Sequence, residues 1–144
     1  MHIPKYYLLA LFFLFSCSKY NDKKVEGVWL LEKVKVCTIN GCWDSLVDRG
    51  TRNLYDKIEL RLNRDRSASG RFYNTGNLQY DVDFEYIFDE KTGRISFVGP
   101  HDIKHPGFFG GNMEIVALNK TELVYIEIED HPDDQTTYIY SRLQ

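Results

Sequence analysis

From Val25 onward the apolar side chains of this chain recur every second residue, and that period constrains the fold more than anything else in the sequence. "KIELRLN" sets Ile58, Leu60 and Leu62 on one face and Glu59 and Arg61 on the other. "YDVDFEYIF" sets Val82, Phe84, Tyr86 and Phe88 against Asp81, Asp83 and Glu85. Side chains of a strand alternate between its two faces, so the pattern reads as half-buried β-strands. "GVWLLEKVKV", "SGRFYN", "GRISFVG", "NMEIVALN", "ELVYIEIED" and "TTYIYSRL" share the enrichment in β-branched and aromatic residues. No window of similar length carries a convincing helical period.

Turn-forming clusters separate the strands: "NRDRSA", "NTGN", "DEKTG", "NKTE" and "HPDDQ". Several are short enough to join antiparallel neighbours, giving about eight strands in meander order. An open sheet of that size would expose an apolar face and two edges. Closure into an up-and-down β-barrel removes both, and a two-sheet β-sandwich is the alternative. A composition that is 43% hydrophobic and 15% aromatic, with four prolines, fits one all-β domain over residues 25–144.

The N-terminus follows another logic. Lys5, the apolar run "YYLLALFFLF" and the small residues "SCS" read as a signal peptide over residues 1–16, with an uncleaved membrane anchor or a buried N-terminal strand as the alternative. Its ten apolar residues are too few to span a bilayer as a helix. Leu14-Phe15-Ser16-Cys17 resembles the lipobox of bacterial lipoproteins, which implies cleavage before Cys17 and acylation of that cysteine. Residues 17–24 then read as the lipidated cysteine and a polar, flexible tether. Ser18 stands where an Asp commonly signals inner-membrane retention, so the resemblance implies an outer-membrane address facing the periplasm or the cell surface. Removing residues 1–16 moves the formal charge from −3 to −4, and no basic stripe appears, which argues against a nucleic-acid partner.

With Cys17 acylated, Cys37 and Cys42 remain, in a compartment where disulfides persist. A metal clip would need two further ligands, and the spacing is not that of a redox Cys-x-x-Cys. The pair reads as a disulfide staple, with two reduced strand cysteines as the alternative. A two-residue turn at Asn40 and Gly41 would leave the cysteines diagonal and too distant, so the expected connection is a four-residue loop "TING" that sets them face to face.

"VEGVWLLEKVKV", "KIELRLNRDRSASGRFY", "FEYIFDEKTGRISFVG", "MEIVALNKTELVYIEIED" and "TTYIYSRL" together resemble the small lipocalin-like lipoproteins of Gram-negative bacteria. Gly27-Val28-Trp29 matches the Gly-x-Trp of that family's first strand, and Leu118 and Leu123 flank its penultimate hairpin. The resemblance implies an eight-stranded barrel closed at one end, with Trp29 plugging the base. The chain departs from it in "GPHDIKHPGFFGGN" and in the Cys37, Cys42 pair.

Inward aromatics Phe84, Tyr86, Phe88, Phe97 and Tyr125 are the candidate lining of a small apolar ligand site, or the filling of a solid core. Phe108 and Phe109, beside Gly110 and Gly111, read as a lid, a partner contact or a cap over the mouth. His101, Asp102 and His105, with His131, are a weak metal set read rather as a rim loop. Glu127, Glu129, Asp130, Asp133 and Asp134 lack a calcium-loop pattern and read as a solvated turn. No catalytic motif is present, so neither an enzyme nor a cofactor is expected. The functional expectation is a lipid-anchored binding protein for a small apolar or amphipathic ligand. The alternative is a protein-interaction, inhibitor or immunity-type envelope factor with a filled barrel.

Overall fold

The structure is a computed structural model and describes residues 20–48, 54–99, 111–127 and 134–144. A one-turn helix α1 (Asp22–Val25) leads into β1 (Gly27–Thr38), followed by β2 (Gly41–Asp44) and a second one-turn helix α2 (Ser45–Asp48). Then come β3 (Lys57–Leu62), β4 (Ser67–Asn74), β5 (Asn77–Asp89), β6 (Arg94–Val98), β7 (Gly111–Leu118), β8 (Glu122–Glu127) and β9 (Gln135–Arg142). Strands β3 to β9 are consecutive neighbours, and all pairings are antiparallel.

β9 pairs back onto β1, from Trp29↔Arg142 to Cys37↔Gln135. This closes β1 and β3 to β9 into an eight-stranded barrel and excludes the sandwich, whose sheets would each end in free edges. β2 is a ninth strand outside the closed wall. β1 pairs with β3 only over Gly27–Leu30 and, further along the same side, with β2 over Lys35–Thr38.

The inward face of β1 changes phase midway. Trp29 and Leu31 are buried, and so is Val34, three residues on. A bulge between Leu31 and Lys33 leaves Glu32 unopposed and restores the inward alternation. Glu32 then accepts a hydrogen bond from the Ser141 hydroxyl on the outside. Ile58, Leu60, Phe72, Ile95, Met113 and Leu123 meet the β1 residues in the barrel interior as one buried cluster.

The base end is sealed as expected. Trp29 is fully buried, its indole N–H donates to the Val25 carbonyl at 2.8 Å, and the Arg142 guanidinium lies 4.4 Å from its ring centre. The flexible tether expected over 17–24 is not what residues 20–24 form. Asn21 caps α1 by accepting from the Lys24 N–H at 2.9 Å. The Tyr20 hydroxyl donates to the Ile115 carbonyl at 3.0 Å, and Asp22 forms an ion pair with Arg66 at 2.9 Å. A four-residue helix is too short to register as a helical period, which is why composition alone read the segment as tether.

At the opposite end Cys37 and Cys42 are directly opposed and disulfide-bonded, with Cα atoms 4.1 Å apart. The loop is tighter than the expected four residues. Thr38 pairs with Gly41, leaving Ile39 and Asn40 as the turn, and Gly41 (φ +131°) takes the positive dihedral.

Glu59 faces outward yet is 2% exposed. Its carboxylate is held by Lys57 Nζ at 3.0 Å, Arg61 Nη2 at 2.9 Å and the Tyr73 hydroxyl at 3.2 Å. Burial pushes this carboxyl up, but the hydrogen bonds and charges of Lys57 and Arg61 outweigh it and hold Glu59 below the usual glutamate range.

Candidate ligand site in the barrel interior

The expected lining residues all point inward and are buried, but they fall into two groups. Phe84, Phe97 and Tyr125 form a continuous aromatic wall, with Phe84 and Phe97 edge to face at 5.5 Å and Phe97 and Tyr125 at 5.9 Å. Tyr86 and Phe88 belong to the base instead. The Tyr86 hydroxyl donates to the Asn63 carbonyl at 2.7 Å, and Arg66 lies 5.3 Å and 6.0 Å from the Tyr86 and Phe88 ring centres. Although Tyr86 pairs directly with Phe97, β5 runs past the start of β4 from Tyr86 onward, where the Tyr86 N–H donates to the Arg66 carbonyl.

Two residues that the sequence reading passed over complete the wall. Tyr138 faces Tyr125 across β8 and β9 with ring centres 5.0 Å apart, and Tyr140 lies 5.3 Å from Tyr125. The Tyr125 and Tyr140 hydroxyls are 2.7 Å apart in a fully buried hydrogen bond. Burial pushes both phenols above the ordinary tyrosine range, Tyr125 most strongly because its neighbours Tyr140, Tyr138 and Glu127 add to the effect. One rung nearer the mouth, the Tyr138 hydroxyl donates to Glu127 Oε2 at 3.3 Å. Glu127, expected in a solvated acidic turn, thus shares the inward face of Leu123 and Tyr125.

The interior is therefore amphipathic. Across from β8 and β9 it presents Ile58, Leu60 and Phe72, while β8 and β9 carry a polar stripe of phenols and one carboxylate. A hydroxyl pair holds two hydrogens and uses one between its members, and neither oxygen has another partner among the described residues. One donor is thus left over inside the barrel. Toward the mouth, Val36, Tyr55, Tyr80 and Val82 pack on the core but are only partly buried.

Cys17, Phe108, Phe109, His101, Asp102, His105, His131, Glu129, Asp130 and Asp133 lie outside the described residues. Among the described residues no three His, Cys, Asp or Glu side chains gather around a possible metal position. Tyr138 and Tyr140 were visible as alternating inward residues of "TTYIYSRL", but their partnership with Tyr125 and Glu127 depends on the strand register.

Wall, plug and interior define a closed eight-stranded antiparallel barrel of the lipocalin-like kind. Among solved structures the chain is similar to a lipocalin-like protein from Bacteroides uniformis, with a TM-score of 0.54 over 85% of this chain and 100% of that one. The two share 13% sequence identity, so the likeness is one of fold. No protein-family model matches the chain, and no curated protein does.

Proposed function

We propose that this protein is a lipid-anchored envelope lipoprotein whose barrel binds a small amphipathic molecule, mainly apolar and carrying a hydrogen-bond acceptor. The buried Tyr125–Tyr140 pair carries this reading: a spare donor on the polar stripe of an otherwise largely apolar interior is what orients a ligand that is mainly apolar. The signal peptide and Cys17 support anchoring through a diacylglyceryl group and an amide-linked chain such as palmitate, in the outer membrane of a Gram-negative bacterium. The reading is of a carrier or sensor, with no chemistry performed on the ligand and no cofactor.

Titration of delipidated protein with 1-anilinonaphthalene-8-sulfonate, followed by displacement with small ketones and alcohols, tests the binding reading. Saturable, displaceable fluorescence supports it, and its absence overturns it. The competing reading, a protein partner at the mouth, is favoured by Ile39, Leu54 and Trp43, which are 80%, 62% and 38% exposed at that end. In-cell cross-linking of an Ile39→Ser, Trp43→Ser variant checks it: the loss of a cross-linked species seen with the native chain would favour a partner over a ligand.

A further inference from the structure

We infer that the base of the barrel sits against the headgroup layer of the bilayer and that the mouth points away from it, so that ligand exchange takes place on the aqueous side. The inference rests on the reading that Cys17 is acylated. What carries it is the docking of Tyr20 and α1 on the base, a few residues from Cys17.

Tyr20 and α1 are fastened to the base by contacts from five different parts of the fold. The Tyr20 hydroxyl holds the Ile115 carbonyl on β7, Asp22 pairs with Arg66 in the β3–β4 turn, and the Asp22 N–H donates to Glu90 in the β5–β6 turn. Arg142 of β9 donates to the Lys24 and Glu26 carbonyls at 2.6 and 2.9 Å, and Trp29 of β1 donates to Val25. Packing adds to this, for a Cβ built on Gly93 would come within 2.6 Å of the Tyr20 ring. Only Ser18 and Lys19 separate Tyr20 from Cys17, so the two Cα atoms are at most about 10 Å apart. The mouth lies at the far end of the 12-residue β1, roughly 25–30 Å away for a strand tilted as barrel strands are. So short a link cannot bring the mouth to the membrane while Tyr20 stays docked.

The chemistry of the base agrees. Its described turns, residues 63–65, 89–92 and 119–122, expose no apolar side chain. The first two of these turns, with α1, frame a groove of about 430 Å³ lined by Asn21, Asp22, Lys23, Glu26, Arg64 and Glu90, where cations and carboxylates lie side by side. That mixture suits a zwitterionic headgroup such as phosphatidylethanolamine, and its charges would be costly to sink into the hydrocarbon layer. Of the exposed apolar side chains, Ile39, Leu54 and Trp43 are at the other end, while Leu143 is half exposed beside the base, where its N–H donates to the Val28 carbonyl.

The test uses acylated full-length protein in phosphatidylethanolamine-rich vesicles containing a headgroup nitroxide lipid, a short-range quencher. A fluorophore is placed on an added cysteine at Lys91→Cys in the base or at Gln79→Cys near the mouth. Quenching at position 91 several-fold stronger than at position 79 is expected. A ten-residue Gly/Ser insertion between Lys19 and Tyr20 should erase most of the difference. Equal quenching in the uninserted protein, or stronger quenching at position 79, overturns the orientation while leaving anchoring intact. An intact mass lacking acyl groups on Cys17 removes the anchoring reading and this inference with it.

Discussion

Arg142 lies across Trp29: its guanidinium is 4.4 Å from the indole ring centre while one of its nitrogens donates to the Lys24 and Glu26 carbonyls. One side chain thus joins the last strand, the first strand and α1. Arg142→Ala removes a cation–π contact and charge-assisted hydrogen bonds, and should cost about 2–4 kcal/mol in urea unfolding. Arg142→Lys should recover little, because an ammonium cannot lie flat on the indole and reach both carbonyls.

The Glu59 carboxylate, held below the usual glutamate range, makes stability pH-dependent on the acid side. Its contribution is complete above the ordinary glutamate pKa of about 4.3 and is lost as pH falls through the lower folded value. Glu59→Gln should lose about 1–3 kcal/mol at pH 7, and less as pH falls below 4. Denaturant midpoints at pH 7, 4.5 and 3 measure the convergence.

The phenols give the opposite sign. Burial raises Tyr125 and Tyr140, so their contribution is complete below the unfolded tyrosine pKa of about 10 and is lost as pH climbs beyond it. Absorbance at 295 nm should show these two still protonated near pH 11 while exposed tyrosines ionise. The Tyr125→Phe, Tyr140→Phe double variant should retain more of its neutral-pH stability above pH 10 than the native chain does.

Gly93 has φ +72° and the Tyr20 ring beside it. Gly93→Ala is strained on both counts and should displace Tyr20, with faster amide exchange in α1 and a melting temperature lower by several degrees. The Cys37–Cys42 bond closes a ring of few residues, so its reduction should cost only about 2 kcal/mol.

Strand existence and face were legible because alternation in segments such as "KIELRLN" directly records which side meets the core. The disulfide was legible because one spacing and one register satisfy it. The five expected lining residues are all buried, yet the sequence could not separate Phe84, Phe97 and Tyr125 from Tyr86 and Phe88. That division follows from strand stagger, a relation between strands that no single strand encodes. The same limit hid the Tyr125–Tyr140 contact and the burial of Glu59 between Lys57 and Arg61 on the polar face of β3. α1 was missed for another reason: one capped turn draws its stability from docking on the base rather than from its own residues.

β1 changes partner partway along one side, from β3 below to β2 above. Beyond the Leu30↔Glu59 pair, β1 and β3 share no ladder hydrogen bonds, and the buried Leu46 of α2 packs near this part of the wall. The barrel is thus a tube with a seam, a stretch of the β1–β3 wall that no backbone ladder joins. Parting such a stretch breaks no ladder hydrogen bond, so the upper β1–β3 wall yields sideways at lower cost than the fully laddered β3–β4 and β8–β9 walls.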